Sequence, residues 1–150
     1  MSGLYLPDAA ATEELGRKLG TLLTIGDVVA LFGDLGAGKT SLARGALAAL
    51  GLAEEAPSPT FAIVQPYAPP EVSRPVAHVD LYRIDDPDDA TELGLDELLE
   101  DGALLIEWPE RLGDALWSHA LRLTLTLDAR GGRCLTWDAP ASWEARWPPR

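Results

Sequence analysis

The run Gly33-Asp34-Leu35-Gly36-Ala37-Gly38-Lys39-Thr40 fits G-x-x-x-x-G-K-[ST] at every fixed position. The chemistry of that spacing is phosphate binding. Glycines let the backbone wrap an anion and turn its N–H groups inward. A helix that starts at Lys39 brings the positive end of its dipole to the same anion. Lys39 then reaches the β- and γ-phosphates, and the Thr40 hydroxyl ligates a Mg²⁺ ion that bridges phosphate oxygens. Ser41 completes the set of loop residues expected to touch the nucleotide. The plainer reading is a Gly-rich turn ahead of a helix. The context speaks against it, because an apolar strand pattern enters the run and a helical pattern leaves it.

A Mg²⁺ ion held with phosphate and water usually takes one carboxylate as well. Two acids end apolar runs and qualify: Glu107 after Ala103-Leu104-Leu105-Ile106, and Asp80 after the Val76–Val79 segment. Either acid alone reads as a strand's exit to solvent. Beside a phosphate loop in a chain this short, a role in the site is the stronger reading for both. The guanine-reading N-K-x-D pattern is excluded, since the chain contains no Asn. That favours ATP.

These residues need a sheet and helices to hold them. Val28 to Phe32 reads as a strand buried on both faces, as in a parallel sheet. Residues Asp8 to Leu23 carry leucines at helical spacing, with Thr12 as a candidate cap ahead of Glu13 and Glu14. Lys39 to Leu50 reads as a helix closed by Gly51. Ala56 to Thr60 reads as an ordered loop, and Phe61–Tyr67 and Pro75–Tyr82 as strands joined through Pro69-Pro70. Asp86 and Pro87 start a helical region as cap and first residue, with Leu95, Leu98 and Leu99 as its apolar stripe. Ala103 to Ile106 is a second buried strand. Leu121, Leu123, Leu125 and Leu127 alternate with polar residues, and Arg130-Gly131-Gly132 turns that strand into Cys134–Trp137. Strand and helix patterns in this order predict a single α/β domain over residues 1–150, with a sheet of both parallel and antiparallel neighbours flanked by helices.

Composition bounds the rest. The 150 residues hold 24 acids and 12 bases, a net charge of −12. Scattered, outnumbered bases argue against a strong direct grip on nucleic acid. Nine acids fall between Asp85 and Asp101 with no base among them, and a solvated face is the plain reading, ahead of a docking surface for a basic partner. Cys134 is the only cysteine, which excludes an internal disulfide and a multi-cysteine metal site. No apolar stretch approaches the length of a membrane helix, and no basic residue precedes Arg17. A cytoplasmic protein is the expectation. His78 is read as a core histidine ahead of a general base or metal ligand. Arg44 is read as a surface or ion-pair residue ahead of a phosphate ligand, Arg83 as an ion-pair partner ahead of a catalytic residue, and Arg133 as a hairpin-turn residue ahead of one that approaches the nucleotide base. Trp143 and Trp147 pack one helix face onto the domain or form an exposed partner patch.

Four blocks taken together carry more than the loop alone. Gly33 to Thr40, Ser58-Pro59-Thr60-Phe61, His78-Val79-Asp80-Leu81-Tyr82-Arg83 and Ile106-Glu107-Trp108-Pro109 follow in the order found in the TsaE (YjeE) family, which the chain resembles between residues 33 and 109. The resemblance implies a P-loop NTPase-like fold and a weak Mg-ATPase needed for threonylcarbamoyladenosine in tRNA. It implies that Lys39 and the loop hold the phosphates, that Thr40 and Glu107 bind Mg²⁺, and that Asp80 assists hydrolysis. It also implies that Thr60 lies in a loop sensing the γ-phosphate, Trp108 beside the nucleotide, and Asp8 and Thr12 near the adenine. The implied partner is a TsaB–TsaD complex, with TsaD carrying out the transfer to tRNA. Two other functions fit the phosphate loop: a small-molecule or nucleoside kinase, and a non-catalytic nucleotide-sensing module.

Overall fold

The computed structural model describes residues 3–34, 36–53 and 64–149. Leu35 and the Ser58-Pro59-Thr60-Phe61 block lie outside the described residues. The strands are β1 (Gly3–Leu6), β2 (Val28–Phe32), β3 (Val64–Tyr67), β4 (Val76–Asp80), β5 (Ala103–Glu107), β6 (Leu121–Leu127) and β7 (Arg133–Asp138). They form one seven-stranded sheet in the order β1-β7-β6-β2-β5-β4-β3. β6, β2, β5 and β4 run parallel, and antiparallel pairs close both sides. The mixed sheet is the one expected. β1 was not anticipated, because Gly3-Leu4-Tyr5-Leu6 is too short to show a period and takes its conformation from pairing with β7.

The helices are α1 (Ala9–Leu22), α2 (Lys39–Ala49), α3 (Pro87–Thr91) and α4 (Leu95–Asp101), with 3₁₀ turns at Pro109–Ala115 and Ala141–Trp143. Asp8 caps α1, its carboxylate accepting the Ala11 N–H at 2.8 Å. Thr12 is therefore not the cap. It lies buried one turn inside the helix and donates to the Asp8 carbonyl. A carboxylate satisfies a free helical N–H as well as a hydroxyl does, and it also faces the positive end of the dipole. Gly51, at φ 108°, terminates α2 as expected. Asp86 caps α3 with Pro87 in its first turn, but the apolar stripe beyond belongs to a separate helix. Gly94, at φ 73°, breaks the region in two.

Strand alternation sorts the side chains between two cores. On one face Val29, Leu31, Leu105, Leu121 and Leu123 pack against α1 and α2. On the other Val28, Ala30, Val79, Leu104 and Ile106 pack under α3 and α4. Both faces of β2 and β5 are covered, so these strands read as continuous apolar runs. α1 and α2 meet at backbone distance: a methyl group at Gly16 would overlap the Leu42 carbonyl, and one at Gly45 the Glu13 carbonyl. This contact fixes where α2 begins. Trp143 and Trp147 are buried in the first core, at 0% and 4% exposure, so they are not a surface patch. They sit on a 3₁₀ turn and the residues after it, not on a helix face. The acids between Asp85 and Asp101 are all exposed, as a solvated face requires. Among the described residues no helix is long and apolar enough to cross a membrane.

Candidate functional site

The site stands at the carboxyl ends of the parallel strands, where α/β sheets place their ligands. β2 delivers the glycine loop. β5 lies beside β2 and β4, with Glu107 in register with Leu31 on one side and Asp80 on the other. Residues two apart share a sheet face, so Glu107 follows Leu105 onto the α2 side. By the same alternation His78 and Asp80 follow Val76 there. α2 starts over that face with Lys39 and Thr40.

Gly33, Gly36 and Gly38 hold φ of 145°, 82° and 104°, values costly for residues with a side chain. Gly33 also has no room for one, because a Cβ would lie 2.6 Å from the Leu125 carbonyl. The Lys39 ammonium donates to the Gly33 carbonyl at 2.6 Å and stands 3.6 Å over the Trp108 ring. Burial lowers the Lys39 pKa, opposed by the charges of Glu107, Glu110, Asp80 and Asp34. The Thr40 hydroxyl donates to the Glu107 carboxylate at 2.9 and 3.1 Å. His78, fully buried, places Nε2 2.6 Å from the second Glu107 oxygen. Asp80 accepts the Tyr82 N–H at 2.9 Å. Burial, the largest influence, raises the Asp80 pKa above 3.8, and Glu107 pushes it the same way.

Trp108 has φ 59° and ψ 48°, a left-handed conformation rare for a bulky residue. Pro109 disfavours the right-handed helical alternative at the residue before it. The outcome is a ring turned over Lys39 and packed against Tyr82, centroids 4.9 Å apart. Strain kept at a residue that touches Lys39 is typical of a working site.

A cavity of about 460 Å³ is lined by Gly36, Gly38, Lys39, Thr40, Ser41, Asp80, Glu107 and Trp108, with Tyr82 and Arg83 at its side. A second, of about 250 Å³, shares Gly36, Gly38 and Ser41 and adds Asp8, Thr12, Gly132 and Arg133. Of the sequence-predicted residues, Gly33, Asp34 and Ala37 line neither. They face a recess beside Thr124–Leu127 instead. Leu35 and Thr60 fall outside the described residues. Sequence reading put the core role of His78 ahead of a general base or metal ligand; it is core, and it also grips Glu107. The signal was present in the spacing of His78 and Asp80, which puts both on one sheet face. Arg133 is more than a turn residue, for its guanidinium reaches across 96 residues to the loop.

The donor set fits Mg²⁺. Among the described residues no group of three or more His, Cys, Asp or Glu side chains is placed to hold a metal. Thr40 and Glu107 offer instead a hydroxyl and a carboxylate in contact at the base of the larger cavity. That pair suits a hard cation that draws its remaining ligands from phosphate and water.

Comparison with known proteins finds relatives of the whole domain. Residues 6–135 match the family described as threonylcarbamoyl adenosine biosynthesis protein TsaE. A Streptomyces coelicolor protein named tRNA threonylcarbamoyladenosine biosynthesis protein TsaE is 42% identical over 113 residues, 75% of this chain and 76% of its own. A Synechocystis protein of the same name is 43% identical over 115 residues, 72% of this chain and 70% of its own. The crystal structure of Bacillus subtilis YdiB superposes with a TM-score of 0.79 at 27% identity, over 94% of this chain and 86% of that one.

Proposed function

Since the chain belongs to the TsaE family of threonylcarbamoyladenosine biosynthesis proteins, we propose that it is the Mg-ATP-hydrolysing accessory subunit of that tRNA modification, acting on a TsaB–TsaD complex. The observation that carries this reading is the convergence of Lys39, Thr40, Asp80, Glu107 and Trp108 on one cavity at the mouth of the glycine loop. Loop amides and the Lys39 ammonium would hold the phosphates. Thr40 and Glu107 would hold Mg²⁺, which when bound neutralises charge on the β- and γ-phosphate oxygens. His78 keeps Glu107 turned toward Thr40. Asp80 lies beside Glu107 in register and would orient the attacking water. Lys39, already partly desolvated, would meet the negative charge that develops on the transferred group.

The cavity of about 250 Å³ on the Asp8 side would take the base. A kinase needs arginines free to close over a second substrate. Arg130 is bound to Asp128 and stacked on Tyr5, and Arg133 is bound to the loop. Neither of these two arginines is free for that role.

The test is Mg-ATP turnover by the purified chain, alone and with a TsaB–TsaD pair. Weak turnover that rises with the pair is expected, together with its loss in Lys39→Ala and Glu107→Gln. Turnover untouched by Lys39→Ala would overturn the proposal.

A further inference from the structure

Arg133 stands outside the larger cavity and is bonded to the loop from behind. Its Nη2 donates to the Gly36 carbonyl at 2.9 Å and its Nε to the Ala37 carbonyl at 3.0 Å. Its Nη1 donates to Gly132 at 3.0 Å. The loop's geometry makes these carbonyls available. A trans peptide directs its C=O and N–H to opposite sides. The Gly36 and Ala37 carbonyls face Arg133, so the N–H groups of Ala37 and Gly38 face the other way, into the loop. The Ala37 N–H closes the inner turn on the Asp34 carbonyl at 3.0 Å. The Gly38 N–H belongs to the residue that lines both cavities.

The guanidinium suits this task because it is flat and permanently charged, and its donors form a fixed fork. Two adjacent carbonyls held by one fork fix two successive peptide planes. A cation on a carbonyl also strengthens the N–H of the same peptide as a donor.

Arg133 is itself held firmly. It opens β7, in register with Leu127 of β6 and Leu6 of β1. The preceding turn uses Gly131 and Gly132 at φ 85° and 74°. A Cβ on Gly132 would press into the Leu6 and Pro7 backbone, so this turn packs directly on the chain leading to Asp8. The Tyr5 hydroxyl donates to the Gly131 carbonyl at 2.9 Å, and Arg130 stacks 3.9 Å over the Tyr5 ring. The clamp is anchored to a sheet edge made of three strands, not to a loose loop.

We propose that Arg133 is a positioning residue for phosphate: by clamping the Gly36 and Ala37 carbonyls it aims the Gly38 N–H at an anionic phosphate group, and so sets nucleotide affinity without touching the reacting atoms. The inference rests on the nucleotide-binding reading of the loop. The donor it sets holds phosphate in ground and transition states alike, so its loss removes uniform binding: KM rises and kcat stays.

The experiment compares wild type, Arg133→Gln and Arg133→Lys by calorimetric titration with Mg-ADP, by ATP turnover with the TsaB–TsaD pair, and by thermal melting. Arg133→Gln is expected to raise Kd and KM together by about tenfold or more, with kcat within about twofold. Arg133→Lys restores charge without the fork and falls between the two. A Tm loss in Arg133→Gln with Kd and KM at wild-type values would reduce Arg133 to a structural tie and overturn the proposal. Wild type that binds no Mg-ADP would overturn the nucleotide reading itself, and this inference with it.

Discussion

At the residue scale the site is costly to the fold at Asp80 and supported by it at His78. Asp80 carries a carboxyl whose pKa is raised by burial. An acid with a raised folded-state pKa gives its full stabilisation below the unfolded value and loses it as pH rises through the folded one. At pH 7 an ionised Asp80 therefore works against the fold. Asp80→Asn keeps an acceptor for the Tyr82 N–H and is expected to raise the Tm of the nucleotide-free protein at pH 7. The gain should shrink as pH falls toward 3.8, as a pH series of thermal melts would record. The same change should lower turnover by about 10²-fold or more, the usual worth of a group that handles the reacting proton or water. His78 is the converse case. Removing it leaves the Glu107 carboxyl, only 3% exposed, short of a hydrogen-bond partner. His78→Leu should cost about 1–3 kcal/mol in urea unfolding. His78→Gln, which keeps an N–H donor, should cost clearly less.

At the element scale the placement of Lys39 and Thr40 depends on where α2 starts, and that depends on α1. Gly16 and Gly45 let the two helices touch backbone to backbone. An alanine at either position must push them apart. Gly16→Ala and Gly45→Ala are each expected to destabilise by about 1–3 kcal/mol, readable as a lower urea midpoint. Because α2 carries the loop's exit, each should also weaken ATP binding by the folded protein. Ala48 and Ala49, half-buried on the same helix, already carry the methyl group that Gly45 has no room for, so the demand at Gly45 is one of contact and not of helix propensity. The split between α3 and α4 belongs to this scale too. A leucine stripe is legible across the region, but α3 closes at Glu92, and Gly94 in the left-handed conformation turns the chain into α4.

At the scale of the whole molecule the two ends of β2 do different work. The loop, Glu107 and Asp80 gather at its carboxyl end. At its amino end Arg146 binds Asp27 at 2.7 Å and the Leu22 carbonyl at 2.8 Å, and lies 3.9 Å over the Trp143 ring. Trp143 is wholly buried there. Trp143→Ala should cost about 3–5 kcal/mol of stability through the cavity it leaves. The affinity of the remaining folded protein for Mg-ADP should be unchanged, since the glycine loop lies at the opposite end of the sheet. Denaturant unfolding beside calorimetric titration would separate the two effects.

Local patterning determined much of this protein. The glycine loop, the apolar runs that become β2 and β5, the acids that end β4 and β5, and the period-two strand β6 are all written in contiguous residues. Strand alternation and loop chemistry act over a few residues, so they survive in one dimension. Contacts between distant residues do not. Nothing near His78 in the sequence names Glu107 as its partner, and nothing near Arg133 names Gly36 and Ala37. β1 forms only because β7 is there to pair with it. The burial of Trp143 and Trp147 was equally open until the chain's end folded back on the first core. Sheet order brings these groups together, and sheet order is a property of the whole chain.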